Sequence, residues 1–411
     1  MSRAGPEVAA DATGTVDGID GGGAAPMNQI DPGTPTWLRA HNDRTAFRLL
    51  LEHGPLTRAQ LGELSGMSKP TAAQMITRLE RVELIHAVGE VSGGRGPNAV
   101  SYGVRTDRLT GVAISVLADT IEAVVVDASD APHPVVETPT AASGRTPEGD
   151  VSGAIAAACR AAGVPVETVG LAAIGVQAAF DADGDELSFT DTLPGWPQQG
   201  ARARLEGALG HTVLIENDVN LAAMAERAGG VATDVASFVL FWMGDGLGVG
   251  IDLGGTVHRG ATGGAGEIGY LEVARGAESI APDAHDLTDL LGGPAVARML
   301  GAAPGTRLAD ALPGLAADRA ALARLADRAV IAIAPLLAVI DPAMVVLGGP
   351  TAREGGTALA ELVAARIDSG AHPRLVVRTS GTDDHPVLLG ARQLLVDRIR
   401  DRLEDAITTA A

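Results

Sequence analysis

A chain of 411 residues with 46% apolar content is long enough for two or three folded units. Its formal charge of −20 excludes a generally basic nucleic-acid coat protein, so any contact with DNA must come from a locally basic module. A single cysteine, Cys159, excludes an intramolecular disulfide framework and a multi-thiolate metal site, and ten aromatic residues are too few for platforms that stack single strands.

No membrane span is expected, because the longest apolar run, Ala329 to Ile340, is 12 residues and contains Pro335. A spanning helix needs about 20. The N-terminus carries acids and glycines without the apolar core of a secretory signal, which predicts a cytoplasmic protein.

Residues 1–36 hold one arginine, five acids and the run Gly21-Gly22-Gly23, and so predict a disordered tail that cannot offset its ordering entropy by burial. From Trp37 to Leu109 the net charge is +3, and over the remaining 302 residues it is −19. The sole lysine, Lys69, lies in the basic block. Such asymmetry points to a nucleic-acid module at 37–109 joined to an acidic domain at 110–411.

Within the module, Asn42 or Asp43 is placed to cap a first helix carrying Phe47, Leu50 and Leu51 and ending at His53-Gly54-Pro55. Thr57-Arg58-Ala59-Gln60 has capping-box spacing for a second helix, which Gly66 closes. Ser68 caps a third, with Pro70 in its first turn. Ala72, Ile76 and Leu79 form the inward stripe of this helix, and Lys69, Thr71, Gln74 and Arg78 point the other way. Two strands follow, Leu84 to Val88 and Val100 to Val104, around the loop Ser92 to Asn98. Three helices and a hairpin describe a winged helix-turn-helix. Its third helix offers short polar and cationic side chains to a major groove, and Arg95, flanked by glycines, can approach a minor groove. The predicted DNA contacts are therefore Arg58, Ser68, Lys69, Thr71, Gln74, Arg78 and Arg95.

From Thr110 onward strands and helices alternate. Strands are predicted at Gly111 to Leu117, Ile121 to Ala128, Val169 to Val176, Thr212 to Ile215, Val235 to Trp242, Met344 to Leu347 and Leu375 to Val377. Helices are predicted near 151–162, 219–228, 318–338, 356–367 and 388–405. That alternation means an α/β architecture.

Five motifs occur in order: Leu193-Pro194-Gly195-Trp196; Glu216-Asn217-Asp218-Val219-Asn220 leading to Ala225-Glu226; Gly244-Asp245-Gly246-Leu247-Gly248-Val249-Gly250; Arg259-Gly260-Ala261 through Gly266-Glu267-Ile268-Gly269; and Asp341-Pro342 leading to Val346-Leu347-Gly348-Gly349. With the N-terminal module they make a chain that resembles the ROK family (repressors, uncharacterised reading frames and sugar kinases), and within it the repressor branch, over about Asn42 to Ala406. The resemblance implies a two-lobed actin-like domain, with lobe 1 at about 110–217 plus the helix 388–405 and lobe 2 at about 218–387. It also implies a polyol site of Asn217, Asp218 and Glu267, in which the aspartate is the kinases' general base. Read from the residues alone, Asp218 also suits the cap of the following helix.

The departures from the family are informative. Tyr270 stands where the family's zinc-binding, sugar-touching histidine belongs, and Glu272 to Leu291 contains no cysteine, so no structural zinc is predicted. The lone His285 reads as solvated. The family's Pro-Gly loop is replaced by Val176-Gln177-Ala178-Ala179-Phe180. The kinases' first-strand turn, Asp-x-Gly-Gly-Thr, reads Ser115-Val116-Leu117-Ala118-Asp119, and Asp245 replaces a threonine in the second phosphate loop, so no ATP is expected. Asp252-Leu253-Gly254-Gly255-Thr256 spells the missing motif, but its place between two short strands reads as a hairpin turn.

These observations predict a non-enzymatic, DNA-binding transcriptional regulator of carbohydrate metabolism. It would be a repressor that binds double-stranded DNA as a dimer or dimer of dimers. A sugar or phosphosugar would bind at Asn217, Asp218, Glu267 and Tyr270. A constitutive regulator with a decayed pocket and an ATP-dependent sugar kinase are the alternatives.

Overall fold

The computed structural model describes residues 33–91, 98–140, 144–190, 193–273, 277, 279–367, 369–382 and 384–409. The first helix, α1 (Pro35–His53), starts earlier than Asn42 or Asp43, because Thr34 caps it by accepting from the Trp37 N–H. Pro35 pre-sets the first turn, and Trp37 stacks on His41 with ring centroids 5.3 Å apart. Thr34 thus caps the helix and residues 35 and 36 belong to it and not to a tail. Strand β1 (Leu56–Thr57) leads into α2 (Arg58–Ser65), whose capping box between Thr57 and Gln60 is complete and which closes at Gly66. α3 (Lys69–Arg81) is capped by Ser68 and buries Ala72, Met75, Ile76 and Leu79. Strands β2 (Ile85–Val91) and β3 (Ala99–Val104) complete an antiparallel sheet in the order β1-β3-β2. Three helices on this small sheet are the elements of a winged helix-turn-helix.

The rest of the chain builds two five-stranded sheets. The first comprises β4 (Thr110–Val116), β5 (Thr120–Val126) and β6 (Val136–Pro139), then, beyond α4 (Pro147–Ala162), β7 (Val169–Val176). A hairpin of β8 (Ala179–Asp181) and β9 (Glu186–Ser188) and the helix α5 (Ala201–Leu209) precede its last strand, β10 (Thr212–Asn217). The order is β10-β7-β4-β5-β6, and the near-continuous apolar run of β4 reflects burial on both faces. The helix α6 (Asp218–Gly229) leads to the second sheet: β11 (Ser237–Met243), β12 (Leu247–Leu253) and β13 (Thr256–Val257).

Three short helices follow, α7 (Leu287–Leu291), α8 (Gly293–Met299) and α9 (Leu308–Ala311), then the long α10 (Arg319–Ile340). β14 (Met344–Gly348), α11 (Gly349–Arg366), β15 (Val376–Thr379) and α12 (Pro386–Thr409) end the fold. The second sheet runs β13-β12-β11-β14-β15. α11 begins seven residues before the predicted 356, and Gly356 (φ 57) breaks it at the predicted start, so the apolar period was legible only beyond the break.

α4 packs against one face of the first sheet and α12 against the other, while α10 and α11 cover the second sheet. α6 lies between the sheets, touching α12 on one side and β11 and β12 on the other, which places its N-terminus in the cleft. The apolar core around α12 continues without a break into Phe47, Leu50 and Leu61 of the small module. Arg48 of α1 clamps Glu404 of α12 bidentately, both contacts at 2.6 Å, and the Arg44 guanidinium donates to Thr408 at 2.6 Å. Among the described residues, no helix is long and apolar enough to cross a membrane.

Candidate functional site

The cleft between the sheets has two adjoining chambers that share Gln177, Trp242 and Asp245. The smaller, about 430 Å³, is lined by Asn217, Asp218, Glu267 and Tyr270, so the fold brings together all four predicted effector residues. The β10–α6 junction explains how. Asn217, and not Asp218, is the N-cap: its Oδ1 accepts from the Val219 and Asn220 N–H groups at 2.9 and 3.1 Å. Its Nδ2 donates to the Ala178 carbonyl at 3.2 Å, so much of this amide's bonding capacity is committed to the fold. Glu216 behind it is buried and accepts from Asn220 Nδ2 at 3.0 Å and from Arg259 Nε at 2.6 Å, which anchors the loop leading to Glu267.

With the cap supplied by its neighbour, Asp218 is left facing the chamber. It is buried, accepts the Val219 N–H at 2.8 Å, and has no cation partner among the described residues. Burial lifts its pKa to about 7, against the opposing backbone bond and with help from the negative charge of Glu267. Burial also raises the pKa of Glu267. Gly266 holds that residue in place: at φ 93 it passes the β12 backbone so closely that a Cβ would lie 1.9 Å from the Val249 carbonyl oxygen. Tyr270 is exposed and stacks on Phe189, centroids 4.6 Å apart, and both line the smaller chamber. Phe189 was not foreseen, because no spacing links it to Tyr270.

The larger chamber, about 760 Å³, lies beside the β4–β5 turn and the start of α11. Its walls carry Asp119, Glu122, Glu137, Asp245 and Asp384 against Arg353 and His385, and Arg353 is paired with Asp384 at 2.6 Å. The Asp252-Leu253-Gly254-Gly255-Thr256 segment does not line it. Gly254 and Gly255 (φ 63 and 85) form the turn of the β12–β13 hairpin, and Asp252 is buried against Arg227 at 2.5 Å.

On the small module, Ser68, Lys69 and Gln74 are exposed, and Thr71 is half-buried with its hydroxyl 2.8 Å from that of Ser68. Arg58 is exposed and lies over Tyr102, its guanidinium donating to the phenol oxygen at 2.8 Å. Arg78 does not point outward. It donates two 2.6 Å hydrogen bonds to Asp43, which is only 2% exposed. The correction has a sequence signal, since Asp43 shares its helical stripe with Ala46, Phe47 and Leu50, and an acid on an apolar stripe demands a partner. Arg81, two turns beyond Gln74, is the exposed arginine of that helix. Arg95 lies outside the described residues.

The small three-helix module and the two sheets flanking a cleft together give a sugar-kinase-like architecture preceded by a winged-helix-like module. The ROK family profile matches residues 112–398, and the chain belongs to the ROK family. It is 22% identical over 247 residues to the xylose repressor of Bacillus subtilis (strain 168), a match covering 59% of this chain and 63% of that repressor. The chain therefore spans less than two thirds of the length of this relative. It is 34% identical over 140 residues to the glucokinase of Streptomyces coelicolor, covering 34% of this chain and 41% of the kinase. The fold matches that of a ROK family transcriptional regulator homologous to the Mlc protein of E. coli, with TM-score 0.63 and 18% identity over 90% of this chain and 98% of that one. The ROK hexokinase from Thermus thermophilus matches with TM-score 0.55 and 26% identity, over 71% of this chain and all of that one.

Proposed function

We propose that this protein is a DNA-binding transcriptional repressor whose ROK domain binds a sugar or phosphosugar and carries out no phosphoryl transfer. The observation that carries the reading is the face of α3: Ser68, Lys69 and Gln74 are exposed on a helix whose opposite side is core, in a module of net charge +3 on an otherwise acidic chain. Similarity to the xylose repressor supports it. One such helix reads few base pairs, so a homodimer or dimer of dimers would engage half-sites spaced by whole turns, about 10 base pairs each. Selection of bound fragments from genomic DNA by the full chain tests this, and indifference to every duplex would overturn it. Arg95→Ala should flatten the salt dependence of binding by about one unit for one lost phosphate contact.

The smaller chamber suits a polyol: Asp218 and Glu267 accept from hydroxyls, and the Tyr270–Phe189 pair offers an aromatic rim. α12 links this cleft to the DNA module. Its first residues, Pro386 and Val387, line the larger chamber, and Glu404, about five turns further on, holds Arg48. An effector that binds one closure of the cleft more tightly than the other would thereby shift the DNA module. A thermal-shift screen against sugars and phosphosugars tests the pocket, since a ligand at 100 times its Kd adds about 2.7 kcal/mol. No shift for any of them would favour a regulator with a decayed pocket.

A sugar kinase is the second reading, favoured by Asp218, a buried carboxylate with a pKa of about 7 that suits a general base. Against it, the β4–β5 turn has no glycine to cradle phosphate, and the larger chamber is walled by carboxylates that repel a polyphosphate. Sugar-dependent ATP turnover abolished by Asp218→Asn would decide for the kinase.

A further inference from the structure

β5 and β6 pair antiparallel at the edge of the first sheet, and their register sets Glu122 directly opposite Glu137. Like charges in that relation repel across the ladder. From the distant segment between β15 and α12, His385 brings its Nδ1 to 2.8 Å from a Glu122 carboxylate oxygen. One potential ligand atom from each of the three lies within 4.8 Å of the others, and no other such trio occurs among the described residues. All three line the larger chamber.

We propose that Glu122, Glu137 and His385 form a binding site for a divalent transition-metal ion of the Zn²⁺ type. Two carboxylates balance the ion's charge, which turns a cross-strand repulsion into an attraction. The imidazole selects a transition ion over Mg²⁺, which favours an all-oxygen octahedron. Zinc bonds of about 2.0–2.2 Å place tetrahedral ligand atoms roughly 3–3.5 Å apart. The Glu122–His385 pair is already that close, and Glu137, being exposed, closes the remaining gap by a rotamer change. Three protein ligands leave a coordination position open to the chamber. The site is separate from the family's zinc position beside Tyr270, which lies in the other chamber. It revises the expectation of no metal, and no motif could have announced it, because its ligands come from three separate segments.

Metal uptake is measured without DNA, so the site stands or falls apart from the repressor reading. Tag-free full-length protein, stripped with chelator and dialysed, is titrated with ZnCl₂ by calorimetry and with CoCl₂ by visible absorption. One equivalent of Zn²⁺ and a d–d band from bound Co²⁺ are expected. His385→Asn and Glu137→Gln should each weaken Zn²⁺ binding by about tenfold or more. Glu137→Gln alters an exposed, isosteric side chain and keeps the test valid should His385→Asn fail to fold. Absence of a saturable equivalent in the parent, or parental affinity in Glu137→Gln, would overturn the site.

Discussion

Two buried aspartates, one in each half of the molecule, are treated in opposite ways. In the winged module Asp43 is clasped by two of the three guanidinium nitrogens of Arg78, so its charge is neutralised where it stands. In the cleft Asp218 is also buried but among the described residues has one backbone N–H and a second carboxylate, Glu267, for company, and its pKa rises to about 7. The first arrangement serves the integrity of the fold. The second leaves an expensive group waiting for a partner, as a ligand site does. A buried charge therefore says little until its partners are known.

Breaking the Asp43–Arg78 clasp should have the largest effect. Asp43→Ala leaves a cation half-stranded against the core, and we expect a loss of about 2–4 kcal/mol in denaturant unfolding. Asp43→Leu with Arg78→Met should recover most of it, because an apolar pair removes both charges together. The opposite sign is expected in the cleft: Asp218→Asn should stabilise the ligand-free protein by about 1–3 kcal/mol at pH 8. The folded protein holds the Asp218 proton more tightly than the unfolded chain, so this residue's contribution falls as pH rises from the usual carboxylate range to about 7. The advantage of the variant should thus be full above pH 7 and shrink toward pH 4, as thermal unfolding across that range would show. The same substitution should abolish any thermal shift produced by a sugar.

Gln74→Ala should leave stability unchanged yet weaken cognate DNA by about 1–3 kcal/mol and relax choice at one position, measured by equilibrium binding to operator variants. Smallest of all, Arg48→Ala should cost about 0.5–1 kcal/mol of stability, since its side chain is two-thirds exposed. If Arg48→Ala also uncouples DNA affinity from effector, α12 is the connecting element.

The module was legible because its signals are local. Thr57 and Gln60 box a helix, Ser68 caps the next, and Gly66 ends the turn between them, all within a few residues. The start of α1 was misplaced because Asn42 and Asp43 look like caps, whereas Thr34 with Pro35 is the stronger pair and draws the helix back into the acidic leader. The inward turn of Arg78 is not legible from its own helix, because its partner Asp43 lies on another one. Asn217, Asp218 and Glu267 were legible through family motifs, but the division of labour between Asn217 and Asp218 was not. Which of two adjacent polar residues caps a helix depends on the φ and ψ at which the strand ends.

Composition, charge partition, capping and apolar period, all carried by neighbours in the chain, determined the α/β class, the three helices and hairpin of the front module and the location of its basic segment. Segments far apart in sequence settled the rest: the clasp of Asp43, the burial of Asp218 beside Glu267, the Phe189–Tyr270 rim and the meeting of Glu122, Glu137 and His385. Burial and electrostatic pairing act through space, and a chain declares its spatial neighbours only once folded.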